Sequence, residues 1–221
     1  MSVDALPSNE GCVSKRSVVV MGDTVIYASK AGLCVFDGQT VSLASADIIS
    51  EDEWASYSPD TIHAYYYQGT YIGFYGDGTG GFMFNPNGKD SMFVELDFYA
   101  NAGWADIENE TLYLTIGGTI HQFNDGVGSL SHSWKSAYHR VAEPTNFTYG
   151  IVEAESYPLS LKTSCILTDG SVRTDTYTVN NSLPFYLRSG FTSSYWSIEL
   201  SGSTSVYGAI LCHSFGELAN E

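Results

Sequence analysis

The sequence is short of positive charge. Its 221 residues include 9 lysines and arginines against 25 aspartates and glutamates, so its formal charge is −16 at pH 7. Proteins that grip nucleic acid gain much of their affinity from lysine and arginine contacts to phosphate. The composition therefore argues against tight DNA or RNA binding.

Long apolar runs are also missing. No stretch approaches the roughly 20 residues of a membrane-spanning helix. The opening residues, MSVDALPSNE, lack the basic start and the apolar stretch of a signal peptide. We expect no membrane insertion and no export by the usual route.

Metal-binding and catalytic motifs are absent from the sequence as well. The four cysteines, Cys12, Cys34, Cys165 and Cys212, show no CxxC or CxxH spacing. We therefore expect no zinc site and free thiols packed as small apolar side chains, although oxidised cysteines would allow three disulfide pairings. There is no GxSxG elbow, HExxH motif or P-loop, and we interpret the glycine-rich stretch GDGTGG (76–81) as a turn. We expect no catalytic residue, no cofactor and no enzymatic activity.

The sequence is rich in strand patterns. Residues alternate between apolar and polar over Leu159–Leu167 and again over Trp196–Leu200, which is typical of strands with one buried face. The best helix candidate is Ser50–Tyr57, where Ser50 and Glu53 have the spacing of a capping box and a proline at position 59 prevents continuation. The sequence predicts an all-β fold.

A degenerate phrase recurs along the first part of the chain. It begins with glycine, ends a strand on phenylalanine and closes with Asp or Asn before another glycine: GLCVFDG (Gly32–Gly38), GFMFNPNG (Gly81–Gly88) and GTIHQFNDG (Gly118–Gly126). The three phenylalanines are 48 and 39 residues apart. A period of about 40–50 residues made of hairpins is typical of propeller blades.

We therefore predict three regions: an N-terminal segment (1–22), propeller-like hairpin repeats (23–143) and an antiparallel β-sandwich-like region (144–221). The last region has longer strands, separated by turns such as Thr168-Asp169-Gly170. Propellers typically close with about four to eight blades. Three blades would leave unpaired edges, so we expect either the sandwich strands or a partner chain to complete the sheet array.

One local basic spot stands out in this acidic chain. The segment SHSWKSAYHR (131–140) contains Lys135 and Arg140, with two histidines as further potential cations. Such a spot can dock on an acidic patch of a neighbouring subunit. Our candidates for structural or interface positions are Trp134, Lys135, Ser136 and Arg140.

Two other functions compete with a structural one. The tyrosines of Tyr65–Tyr75 could form an aromatic platform for sugars, although aromatic ladders more often stabilise sheets. The acidic run Glu51–Glu53 could supply the two carboxylates of a glycosidase, although carboxylates are also favoured at a helix start. A carbohydrate- or receptor-binding module is the main alternative.

Several short motifs resemble tail nozzle proteins of short-tailed bacteriophages, also called tail tubular protein B. In order, they are VIYASKAGLCV (25–35), EWASYSP (53–59), YQGTYIGFY (67–75), TLYL (111–114), WKS (134–136), LSG (200–202) and SFGEL (214–218). Proteins of this family are several times longer, so the chain resembles only their later portion. It also has Ala137 where a basic residue usually follows the WKS motif.

The resemblance implies a virion structural protein of the phage tail, assembled in the host cytoplasm. It implies a ring of copies, usually six-fold, together with the adaptor or further nozzle chains, around the channel through which the genome leaves. An acidic wall suits such a channel because it repels DNA phosphates within the Debye length of about 8 Å. Phage DNA would then pass without tight binding.

Overall fold

A computed structural model describes residues 10–86, 92–126, 128–214 and 216–217 of the chain. Within these residues the fold is all-β and consists of several antiparallel sheets. The chain divides between Asp125 and Gly126 into two compact units. Each unit has its own apolar clusters.

The first unit contains three successive antiparallel meanders. The first pairs β1 (Val19–Met21), β2 (Thr24–Ala28), β3 (Leu33–Phe36) and β4 (Val41–Leu43). The second pairs β5 (His63–Tyr67), β6 (Thr70–Tyr75), β7 (Gly80–Asn85) and β8 (Met92–Leu96). The third pairs β9 (Ala102–Asp106), β10 (Thr111–Ile116) and β11 (Thr119–Gln122).

The predicted repeat falls on the same element of each meander. Its three copies begin at or near the start of the third strand: β3, β7 and β11. The last two residues of the second copy, Asn87 and Gly88, lie outside the described residues. No sheet closes within the part of the chain that the structure describes, so the hairpin repeat is observed whereas a propeller is not.

The predicted helix is confirmed as α1 (Glu51–Ser56). The Ser50 hydroxyl accepts a hydrogen bond from the Glu53 backbone N–H at 3.3 Å, as a capping box requires. The helix buries Trp54, whose indole N–H donates to the Ser29 carbonyl at 3.0 Å. Short 3₁₀ helices cover Lys15–Ser17 and Pro59–Thr61.

The second meander is buried on both faces. Tyr71 and Phe84 face the cluster shared with the first meander, while Ile72 and Phe74 face the cluster shared with the third. Two glycines make this stacking possible by leaving room for rings. A Cβ on Gly73 would lie 2.6 Å from the Phe82 ring, and a Cβ on Gly81 would lie equally close to the Phe74 ring.

The second unit consists of two antiparallel sheets. Its strands are β12 (His132–Lys135), β13 (His139–Thr145), β14 (Tyr149–Ala154), β15 (Leu159–Ile166), β16 (Val172–Val179), β17 (Phe185–Tyr186), β18 (Ser193–Gly202) and β19 (Val206–Cys212). One sheet has the order β12-β18-β15-β16, with β13 also paired to β18, and the other has the order β17-β14-β19. Val152 of the smaller sheet packs in one cluster with Leu161 and Leu200 of the larger.

The observed units differ from the predicted regions. We predicted that the third region begins at residue 144, whereas the second unit begins at Gly126, because β12 and β13 pair with β18. The predicted N-terminal segment 1–22 overlaps the first meander. Its residues 19–21 form β1 of the first meander, while residues 1–9 lie outside the described residues.

A buried carboxylate fixes one end of the second unit. Asp175 on β16 accepts hydrogen bonds from Arg173 at 2.9 Å and from Arg188 at 2.8 Å. Burial alone would raise the pKa of Asp175, but the two guanidinium groups outweigh it and the pKa is lowered. The ion pairs therefore tie the 185–191 segment to the sheet.

Among the described residues, no helix has the length and apolar character that crossing a bilayer requires.

Candidate functional site

The four predicted interface residues lie along one edge of the larger sheet in the second unit. Trp134 and Lys135 belong to β12, Ser136 follows directly, and Arg140 lies near the start of β13. Both strands pair with β18, one after the other, so they form a continuous edge. All four residues are therefore close to one another, although only some share a face.

Ser136 has a structural role in this edge. Its backbone N–H donates to the Ile198 carbonyl at 2.9 Å, and its hydroxyl accepts from the Ile198 N–H at 3.0 Å. The Ser197 hydroxyl donates to the Ser136 carbonyl at 2.8 Å. These three bonds hold the link between β12 and β13 against β18.

Lys135 lies in a charged row across the outer face of this sheet. The register places it opposite Glu199, which is in turn opposite Lys162. The Lys162 ammonium donates to Glu199 at 3.0 Å. This hydrogen bond and the positive charges of both lysines lower the pKa of Glu199. One carboxylate thus lies between two ammonium groups.

The neighbouring rows of the same face are mainly hydroxyl groups. Register and alternation place these residues there: Ser133, Ser160, Ser164, Thr174, Thr176, Thr178, Ser197 and Ser201. Arg140 lies opposite Tyr195, whose side chain is also exposed. Glu199 is the one carboxylate in these rows, so this outer face carries a net positive charge in an acidic chain. We call it the hydroxyl-rich face.

Trp134 belongs to the opposite face of the sheet. It lies opposite Leu200, which points to the core, but β12 is an edge strand and Trp134 stays 54% exposed. The predicted group therefore spans both faces of the sheet. It lacks Lys162, Glu199 and Tyr195, although the alternation around Lys162 predicts that residue on a polar face.

The first unit differs sharply in charge. Residues 1–125 contain 4 lysines and arginines and 17 aspartates and glutamates, a formal charge of −13. Residues 126–221 contain 5 and 8, a formal charge of −3. The acidic character of the chain therefore belongs mainly to the meanders.

The outer faces of the first and third meanders each carry exposed apolar residues. In the first, one row across all four strands reads Val20, Val25, Phe36 and Val41, and Val20 is 67% exposed. In the third, the rings of Trp104 and Tyr113 stack with their centroids 6.0 Å apart. Ile120 lies on the same face and is 72% exposed. Clustered exposed apolar residues of this kind mark contact surfaces.

The aromatic ladder is not an exposed sugar platform. Tyr71 and Phe74 are fully buried, and Tyr65 hydrogen-bonds to the ring of buried His63 at 3.1 Å. Burial and the charge of Arg16 lower the pKa of His63 to about 4, so its ring is neutral at pH 7. The ladder mainly holds the meanders together.

The acidic run Glu51–Glu53 forms the exposed first turn of α1, where carboxylates are favoured by the free backbone N–H groups. Among the described residues, no three histidine, cysteine, aspartate or glutamate side chains are grouped as metal ligands.

A cleft of about 390 Å³ opens beside the tip of the ladder. Tyr66, Tyr67 and Gln68 line one side, and Asp106, Glu110 and Thr111 line the other. The cleft thus lies between the β5–β6 turn and the β9–β10 loop of the first unit.

No protein-family model matches the chain, and a search of curated proteins finds no significant match.

Proposed function

We propose that the chain is a structural subunit of a phage tail that forms part of the wall of an oligomeric nozzle or tube. The observation that carries the proposal is the pair of uncovered apolar faces at the two ends of the meander stack. The second meander is buried on both faces, while the outer rows around Val20 and Trp104 are exposed. A neighbouring chain would cover these rows.

The meanders act in this proposal as blades of a propeller that the chain does not close alone. Each blade-like sheet stacks face to face on the next, and the same repeat phrase occupies the third strand of each. Strands from another copy or from a further tail chain would complete the array. The resemblance to nozzle proteins favours six copies in a ring.

Charge supports the same function. A wall along a DNA channel must not bind phosphate tightly, and the −13 charge of the first unit repels it. The hydroxyl-rich face with Lys135, Arg140 and Lys162 would contact acidic neighbours in the ring. The protein would act mechanically and not as an enzyme.

Mass spectrometry of purified phage particles tests the assignment directly. We expect peptides of this chain in the particles together with known tail proteins, and electron microscopy of the tail should place it in a ring. Absence of the chain from purified particles would contradict the proposal.

A variant pair tests the contact surface. Val20→Thr and Ile120→Thr keep β-branched side chains and should weaken ring formation of the full chain, measured by native mass spectrometry. Ile210→Thr is the matched control, because Ile210 is exposed on β19 of the second unit and lies outside the hydroxyl-rich face. Equal effects of all three substitutions would argue against the meander faces as the contact.

A further inference from the structure

We propose that the cleft between the β5–β6 turn and the β9–β10 loop binds a neutral hexopyranose unit of a glycan. The proposal does not depend on the tail assignment, because it concerns a site within the first unit alone. Its volume of about 390 Å³ lies within the range of small-molecule sites, about 300–1,000 Å³.

The residues around the cleft define the chemistry of the ligand. Tyr67 provides aromatic surface, because its side chain lies on the face of β5 toward the third meander, and Gln68, Asp106 and Glu110 provide an amide and two carboxylates. Among the described residues, no lysine or arginine lines the cleft. Sugar rings combine an apolar C–H face with hydroxyl groups that donate to carboxylates, whereas an anionic ligand would be repelled.

Asp106 is held in place before any ligand arrives. One carboxylate oxygen accepts backbone N–H bonds from Glu108 and Asn109 at 3.2 Å, and the other accepts from the Asn109 side chain at 2.8 Å. A carboxylate fixed in this way loses little conformational freedom when a hydroxyl group binds it.

On each side of the cleft, a residue with a long polar side chain has a positive φ, which is unfavourable for that residue type. Gln68 has a φ of +44° in the two-residue β5–β6 turn, and Glu110 has a φ of +51° just before β10. Asn, Asp and Gly adopt this region far more readily than Gln or Glu. The fold alone would therefore favour other residues at both positions, which points to a use for these side chains.

Thr111 gives a further polar group at this site. Its hydroxyl oxygen is buried and finds no hydrogen-bond partner among the residues that the structure describes. A buried hydroxyl without a partner costs free energy. A ligand hydroxyl that reached it after a rotation of the Thr111 side chain would satisfy this group.

The test uses the full chain and four probes, the methyl glycosides of glucose, galactose, mannose and N-acetylglucosamine. Backbone amide shifts in NMR spectra would be followed at millimolar probe concentrations. We expect at least one probe to shift amides within 66–68 and 105–111 and not elsewhere. Absence of shifts with all four probes, or shifts confined to other residues, would overturn the proposal.

Two substitutions separate binding from folding. Gln68→Gly and Glu110→Gly remove one polar side chain each and relieve the positive φ, so the fold should be at least as stable. We expect each to weaken glycoside binding about tenfold. Unchanged binding in both variants would contradict the site.

The matched controls are two other non-glycine residues with a positive φ. Ser58→Gly and Asp77→Gly also remove a side chain at positive φ, at 50° and 48°, and neither residue lines the cleft. Binding should be unchanged in both.

Methyl glucuronide should bind more weakly than the matching glucoside, and tetramethylammonium binding without any glycoside binding would identify an amine site instead.

Discussion

The two units of this protein have different kinds of side chain in their cores. The first buries aromatic rings between stacked meanders, with Trp54, Tyr71, Phe74, Phe82 and Phe84 all fully buried. The second packs mainly aliphatic side chains between two sheets. The first unit carries a formal charge of −13 and the second −3.

The two units therefore differ both in how they bury apolar area and in their surface charge. Large rings let narrow meanders with few strands bury enough apolar area, while the acidic surface of the same unit discourages phosphate binding. The second unit needs fewer rings because its sheets have longer strands, and its hydroxyl-rich face carries a net positive charge. Substitutions and a change of pH should affect the two units differently.

The largest effect is expected at Trp54. Trp54→Ala removes a fully buried indole, its contact with Phe82 and its hydrogen bond to Ser29, and should cost about 4 kcal/mol. Only the first unit should lose stability. Calorimetry combined with NMR spectra of the second unit checks this, and loss of both units together would mean that they unfold cooperatively.

Acid should affect the first unit through His63. Its pKa is about 4 when folded and 6.5 when unfolded, so the unfolded state binds more protons between these values. Stability should therefore fall as pH drops from about 6.5 to about 4, by about 3 kcal/mol. Urea titrations across this pH range measure the effect.

His63→Asn should remove most of this pH dependence while lowering stability at pH 7. His139→Asn is the control, because His139 is exposed on β13 of the second unit. A wild-type profile that stays flat between pH 4 and 6.5 would contradict the buried neutral histidine.

Glycine should be needed in the stacked meanders but not in the second unit. Gly73→Ala would place a Cβ 2.6 Å from the Phe82 ring and should cost about 2 kcal/mol. Gly208→Ala, on β19, meets no atom within 4 Å and should change stability little. Similar unfolding midpoints for the two variants would show that the ring contact relaxes easily.

The smallest effect is expected on the hydroxyl-rich face. Lys162 and Glu199 form a partly exposed ion pair, with side chains 39% and 27% exposed. Lys162→Ala should therefore cost less than about 1 kcal/mol. If the face is an interface, the same substitution should weaken assembly more than it weakens folding, and sedimentation velocity measures that difference.

Local patterns predicted several elements correctly. The predicted strand over Leu159–Leu167 is confirmed as β15 (Leu159–Ile166), and α1 begins after the predicted cap. Alternation and capping act over a few residues, so the sequence can be read directly there. The last of the motifs that resemble nozzle proteins, SFGEL (214–218), includes Phe215 and Leu218, which lie outside the described residues.

The candidate site was only partly predictable. The basic spot with Lys135 and Arg140 was visible as a local cluster, but its partners were not. Lys162 and Glu199 reach the same row through pairings between β12, β18 and β15. Because of the same non-local pairing, the second unit begins at Gly126, whereas we predicted that the last region begins at residue 144.

The all-β class, the hairpin phrase, the turns and the acidic composition follow from the sequence, because each depends on neighbouring residues or on residue counts. Strand pairing and packing in three dimensions fix which faces are covered, which charges share a row and which two loops enclose a cleft. Ser136 and Ile198, for example, are bonded across 62 residues of chain. Such contacts depend on strand pairing and side-chain packing, which local periodicity does not specify.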